Sequence, residues 1–341
     1  MLDDLKYIHE HDVIDTLGIA EKQWQQLSQS FQTNQAEVSV DNIVFAGMGG
    51  SALAGLVSES WPGYRVPFEL VRNYDIPAYV SPRTYFVASS YSGNTEETLS
   101  ALAQAEAKGA KIAVISGGGK LVEIAQQKGY PLAMIPKVQQ PRYAVLYDLK
   151  ALVTLLVSAG LAEPARLAEL EAVGPFLQQS VVNWLPTVRT SSNPAKALAL
   201  ECIGKSIVVY AGPKLYPAAY KWKISFNENA KQIAWTGQYP EFNHNEFVGW
   251  SKQPVDKPYA VIELKSGLEN ERIQKRFEIS GRLLSGLWPN PHQVTIEGSG
   301  LIEQLLWAIA FGDFVTLYAA LLNGLNPAPV DLVESFKKEL A

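Results

Sequence analysis

The sequence predicts an α/β protein in which parallel sheets are covered by helices on both faces. Three observations carry this. Short apolar runs alternate with segments of helical length and periodicity along most of the chain. Runs such as NIVFAG at 42–47 are apolar on both faces, as strands between two helix layers are. The 341 residues, 47% hydrophobic and 18% charged, suffice for about two domains with sizeable cores.

Residues 14–35, with mixed Leu, Trp and Gln, predict an exposed helix. NIVFAG then reads as a buried strand and SALAGLVSES as a helix. Further strands follow at PFELV (67–71), TYFVASS (84–90), KIAVISG (111–117) and PLAMIP (131–136). The helices NTEETLSALAQAEAKG, closed by Gly109, and LVEIAQQKG fall between the last three. Residues 146–187 are helical and apolar-periodic, broken by Gly160, Pro164 and Pro175, and read as a connection between halves. A second series then starts with the strand SIVVYAG (206–212) and a helix from about Tyr216 to Ala230. KQIAWTG and YAVIELK (259–265) are strands, and ERIQKRFEISGRLLSG (271–286) is a helix. HQVTIEG (292–298) is the last strand before a long apolar helix at 301–324, and the tail ends in a short helix. The two halves share an order of elements without detectable sequence repetition.

Composition narrows the function. Lys+Arg 29 against Asp+Glu 34 gives a net charge of -5, with no basic run, which argues against nucleic acid. The one cysteine, Cys202, excludes an intramolecular disulfide and a cysteine-based zinc site, and its apolar surroundings read as core. The N-terminus MLDDLKYIHE is acidic where a signal peptide would be basic. LIEQLLWAIAFGDFVTLYAALL carries Glu303 and Asp313, so it reads as a buried helix and not a membrane span. The expected compartment is the cytoplasm.

Two loops carry the chemistry of the first half. The first strand runs into Gly47-Met48-Gly49-Gly50-Ser51-Ala52, which matches a dinucleotide fingerprint on spacing, with Glu69 about where a ribose-binding acid would stand. The competing feature is Ser89-Ser90-Tyr91-Ser92-Gly93-Asn94-Thr95, rich in hydroxyls and placed before a helix. Helix N-termini present unpaired N–H groups, so this segment reads as an anion cradle suited to phosphate. In a parallel sheet both loops lie at the carboxyl edge, where ligands bind. Gly204-Lys205-Ser206 resembles the end of a Walker loop, but Ala199 replaces the required glycine and the segment precedes its strand. His9 and His11, two apart on a helix, point to different faces and form no metal site. No convincing metal cluster is present, and no cofactor is expected.

The densest polar cluster of the second half is Phe226-Asn227-Glu228-Asn229-Ala230-Lys231, followed by Pro240-Glu241-Phe242-Asn243-His244-Asn245-Glu246. Glu228 and His244, on separate elements, suit proton transfer: a carboxylate base at carbon and an imidazole acid/base at oxygen. The structural alternative is a helix C-terminus with hydrogen-bonding Asn and an interface histidine.

Here the sequence resembles a known family. GMGGSA and SSYSGNTEET resemble the two phosphate loops of the sugar isomerase (SIS) domain, and NENAK with PEFNHNE resembles the signature of bifunctional phosphoglucose/phosphomannose isomerases. The resemblance covers nearly all of the chain. It implies two SIS-type domains, at 1–160 and 161–326, with a tail helix at 327–341 near the site. It implies that Gly49, Gly50 and Ser51, with Ser90, Ser92 and Thr95, hold the sugar phosphate. Glu228 would carry a proton between C1 and C2 through a cis-enediol(ate). His244, donated by the partner of a homodimer, would open the sugar ring. Arg142 would stabilise the enediolate, and Lys337, or its neighbour Lys338, would assist ring opening. The function implied is metal-independent interconversion of glucose 6-phosphate and/or mannose 6-phosphate with fructose 6-phosphate. The alternatives are another SIS isomerase, acting on an amino sugar or ketose phosphate, and a sugar-phosphate sensor. Ile224-Ser225 stands where the family pattern has Thr-Gln, and Ala328 where it has Thr or Ser. These differences bear on the choice between C2 epimers.

Overall fold

The computed structural model describes residues 1–33, 35–252 and 258–340. The expected helix at 14–35 and the tail at 327–341 each include one residue outside that set. The chain divides into two compact units, one of residues 22–176 and one of residues 1–21 with 177–341. The division therefore differs from the expected boundary at 160/161. Side-chain bonds give the reason. Lys196 Nζ donates to Leu2 O at 2.7 Å and Tyr7 Oη donates to Leu321 O at 2.6 Å, so the first residues belong with the second half. Trp61 Nε1 donates to Glu169 Oε1 at 3.0 Å, and Lys150 pairs with Glu171, so the helix Ala165–Val181 starts with the first half. Pro175 lies inside that helix and does not end it.

The unit 22–176 holds five parallel strands: β1 (Asn42–Gly47), β2 (Phe68–Val71), β3 (Thr84–Ser90), β4 (Lys111–Ser116) and β5 (Leu132–Met134). Their order is β2-β1-β3-β4-β5. Connections leave β1 in one direction and β3 in the other, so right-handed crossovers put helices on both faces. Glu96–Ala107 and Gly119–Lys128 cover the face of Val44, Ala46, Phe86 and Val114. Ala52–Ser60 covers the opposite face, so tightly that a Cβ on Gly55 would lie 2.6 Å from the Phe45 ring. Val145–Ser158 packs beside it. The expected exposed helix at 14–35 is instead a short helix, Thr16–Lys22, and a 3-10 turn, Gln23–Ser28. It is half-buried: Leu17, Ala20 and Leu27 point inward.

The other unit holds four parallel strands in the order β7-β6-β8-β9: β6 (Ser206–Ala211), β7 (Ala234–Gln238), β8 (Tyr259–Lys265) and β9 (His292–Thr295). Again the crossovers run in opposite directions, β6 to β7 one way and β7 to β8 the other. The helix Tyr216–Glu228 in the first connection packs against the helix Leu301–Leu322. The second connection, 239–258, sends Phe242 and Trp250 into a cluster with Val208, Tyr210, Phe277 and Trp288 on the opposite face. Leu301–Leu322 is long and apolar enough to cross a membrane, but 94% of its most apolar stretch is buried. It is the central core helix of this unit. Cys202 is fully buried as expected, and burial pushes its thiol up to about 12.

Candidate active site

Each sheet ends at a carboxyl edge, and at the edge of the first the glycine loop and the hydroxyl loop meet. Gly47 of β1 lies opposite Ser89 of β3, and Ser90 opposite Ser116 of β4, so both predicted loops leave the sheet at one level beside the strand-order switch. Ser51 Oγ accepts from Tyr91 N at 3.0 Å. It does not cap its helix; it ties the glycine loop to the hydroxyl loop. Ser90 Oγ lies 2.7 Å from Thr95 Oγ1 and 3.4 Å from Ser92 Oγ, which gathers three of the predicted hydroxyls. Thr95 is the N-cap of Glu96–Ala107 and makes no side-chain bond to that helix, so its hydroxyl faces its neighbours. Arg142 joins this group, because Gly50 lies against its backbone: a Cβ on Gly50 would come 3.1 Å from Arg142 N. The Arg142 side chain is buried and its guanidinium lies 4.9 Å from the Tyr143 ring centre.

Three braces lie outside the sequence prediction. Tyr91 Oη bonds both Val138 O (3.0 Å) and Val138 N (2.7 Å), fixing the chain that leads to Arg142. Ser116 Oγ lies 2.7 Å from Ser90 O. Gly93, at φ +69°, meets the Gly118 carbonyl so closely that a Cβ would overlap it. The glycine run Gly117-Gly118-Gly119 was the available signal for that close approach. Glu69 has a different role from the ribose contact its spacing suggested: its Oε2 accepts from Tyr79 Oη.

The second sheet has a switch point too, between β6 and β8. It is filled from within. Glu269 Oε1 accepts from Lys214 N at 2.8 Å, just before the helix Tyr216–Glu228 begins, and a Cβ on Gly212 would collide with the same carboxylate. Burial raises the Glu269 pKa above the usual carboxylate value, against the pull of those backbone donors.

Glu228 ends the helix Tyr216–Glu228 and is partly buried. The residues around it are tied to the scaffold. Asn227 Nδ2 donates to Lys223 O (2.9 Å) and its Oδ1 accepts from Ala234 N (3.2 Å). Asn229 Nδ2 donates to Thr316 Oγ1 at 3.0 Å. Lys231, at φ +50°, closes the helix: its Nζ donates to the carbonyls of Glu228, Asn229, Asn326 and Pro327. So most of NENAK holds Glu228 in place. Ser225 is fully buried and Ile224 nearly so, so neither lines an open surface.

His244 is exposed at the end of the 3-10 turn Glu241–His244. Its neighbours are also pinned. Asn243 bonds Ser280 Oγ (2.8 Å) and Arg276 Nη1 (3.1 Å), and Phe242 is buried among aromatics. Glu228 sits in the β6-to-β7 connection and His244 in the β7-to-β8 connection. Those connections lie on opposite faces of the sheet, so this unit separates the two by a sheet layer. Lys337 and Lys338 lie on the exposed helix Asp331–Leu340, and Lys337 Nζ pairs with Glu334 at 2.8 Å. Among the described residues no group of three or more His, Cys, Asp and Glu is placed to hold a metal ion.

Two parallel sheets flanked by helices, with a glycine loop tied to a hydroxyl loop at the switch point of the first, match the architecture of the SIS class, and the comparisons agree. Residues 191–340 match the family described as bacterial phospho-glucose isomerase C-terminal SIS domain. The chain is 33% identical over 320 residues to the bifunctional phosphoglucose/phosphomannose isomerase of Caldicellulosiruptor bescii, covering 93% of this chain and 94% of that one. It is 36% identical over 226 residues to the D-glucosamine-6-phosphate 4-epimerase of Sulfolobus acidocaldarius, covering 66% and 69%. A solved glucose-6-phosphate isomerase like protein from Thermus thermophilus matches with TM-score 0.68 at 19% identity, covering 99% and 98%. The chain belongs to the bifunctional phosphoglucose/phosphomannose isomerase family.

Proposed function

We propose that this protein interconverts glucose 6-phosphate and mannose 6-phosphate with fructose 6-phosphate through a cis-enediol(ate). The observation that carries the reading is the family match over 93% of the chain; the gathered hydroxyls of Ser90, Ser92 and Thr95 and the braced Glu228 segment support it. The cradle of Gly49, Gly50, Ser51, Ser90, Ser92 and Thr95 takes the phosphate. Binding there, away from the reacting carbons, orients C1 and C2. Glu228 removes the proton next to the carbonyl and returns it to the neighbouring carbon. Arg142 supplies the fixed positive charge for the enediolate oxygen. His244 exchanges the proton of the ring oxygen, and Lys337 assists it. A base and a fixed cation suffice for these steps, so the reaction as proposed uses no metal.

The protein works as a homodimer in this reading. Glu228 and His244 lie on opposite faces of one sheet, which supports donation of His244 by a second copy. A cytoplasmic location goes with a sugar-phosphate substrate.

The test is a coupled assay on chelator-treated protein with fructose 6-phosphate, detecting glucose 6-phosphate and mannose 6-phosphate separately. Both products establish the dual isomerase. One product alone keeps the mechanism and narrows the specificity. Neither product, with phosphosugar binding still visible by thermal shift, rejects the reading in favour of a sensor or another sugar phosphate. Glucosamine 6-phosphate is then the next substrate, given the epimerase relative.

A further inference from the structure

Residues 221, 225 and 229 are four apart, so they share one face of the helix that carries Glu228. All three are polar and all are buried: Lys221 is 1% exposed, Ser225 and Asn229 0%. They face Asp313 and Thr316, three apart on Leu301–Leu322, which are buried as deeply. The bonds form a connected seam. Lys221 pairs with Asp313, and its Nζ also donates to Ser225 Oγ at 2.7 Å. Ser225 Oγ donates to Asp313 Oδ1 at 3.0 Å. Asn229 Nδ2 donates to Thr316 Oγ1, and Thr316 Oγ1 donates to Asp313 O, each at 3.0 Å. Trp222, Phe226 and Phe311, from the same two helices, are buried and pack with one another.

A buried ion pair of this kind is a poor source of stability, since desolvation offsets most of the attraction. Its best-attested use is to fix one register where an apolar seam would allow several. Ser225 and Asn229 bracket Glu228 in the chain. With the carboxylate about 6 Å from the helix axis, a rotation of about 20° moves it by roughly 2 Å. A displacement of about 1 Å at a reacting group already costs on the order of 100-fold in rate.

We propose that Ser225, held by Lys221 and Asp313, is a positioning residue that sets the rotation of the Glu228 helix and thereby the rate of proton transfer. This rests on Glu228 being the base. Ser225 has no exposed surface, so it acts through Glu228 and not by touching substrate.

The test compares Ser225→Ala, Ser225→Thr and the double variant Lys221→Met/Asp313→Leu, with Glu228→Gln alongside. Kinetics on fructose 6-phosphate are read together with hydrogen exchange of the 226–229 amides. Ser225→Ala lowers kcat about tenfold with KM within about twofold, and Ser225→Thr, which restores the hydroxyl, recovers most of that loss. The double variant, packed with apolar side chains, stays folded, lowers kcat about 100-fold and speeds exchange at 226–229. If Ser225→Ala does not fold, the double variant decides. An inactive Glu228→Gln with kcat unchanged in both seam variants overturns the positioning role and leaves the base in place. A loss in Ser225→Ala that Ser225→Thr does not restore also overturns it. Full activity in Glu228→Gln removes the base and this proposal together.

Discussion

Glu228 is the residue on which the proposed chemistry turns. Its neighbours Asn227, Asn229 and Lys231 are bonded to the scaffold. Exchanging its carboxylate for an amide keeps the side-chain length and leaves those neighbouring bonds in place. Glu228→Gln is expected to lower kcat by about 10²–10⁴-fold while the unfolding midpoint stays close to that of the parent. Steady-state kinetics beside a thermal melt check this. Glu263 makes a different prediction. It is buried in β8, and desolvation pushes its pKa up to about 7, against Lys265 and the bonds from Tyr239 and Gln293. A carboxyl raised in the folded state stabilises fully below its unfolded value near 4.5 and loses that contribution as pH rises through about 7. The loss is roughly 3 kcal/mol across that window. Glu263→Gln should flatten the pH dependence of denaturant unfolding between those values; an unchanged slope would refute the assignment.

At the scale of elements, the seam between Tyr216–Glu228 and Leu301–Leu322 is also tightly packed. A Cβ on Gly312 would run into the indole of Trp222, whose Nε1 donates to Ala308 O at 2.7 Å. Gly312→Ala is expected to destabilise by about 1–3 kcal/mol, because the indole cannot shift without losing that bond. Urea unfolding with an unchanged m-value would confirm it. The helix Leu301–Leu322 was legible in the sequence, since Asp313 within an apolar run needs a buried partner. That partner, Lys221, lies 92 residues earlier and was not legible. The same divide runs through the candidate site. The hydroxyl loop before a helix and the glycine loop after a strand announce themselves, because each depends on local backbone chemistry. Tyr91, Ser116 and the Gly118 carbonyl brace that cradle through tertiary contacts that no local spacing encodes. The helix expected at 14–35 failed for a related reason. Its Leu and Gln residues are shared between a short helix and a 3-10 turn, with Gln26 Nε2 bonded to Tyr143 O at 2.7 Å.

For the whole molecule, the topology makes the assembly testable. Two right-handed crossovers in opposite directions leave Glu228 and His244 on opposite faces of one sheet. If a second copy supplies His244, specific activity falls on dilution in step with the loss of dimer mass. Activity retained in a population shown to be monomeric would sink that part of the proposal. The two sheets also differ in what they do with the same architecture. The first leaves its switch point to Ser90, Ser92 and Thr95. At the second, Glu269 already lies against the backbone donor of Lys214. A free phosphate at that crevice would compete for the Lys214 N–H with a carboxyl oxygen that is covalently attached and never diffuses away. If the proposed reading holds, sugar phosphate is confined to the first crevice and each chain binds one; a calorimetric stoichiometry of two would contradict it.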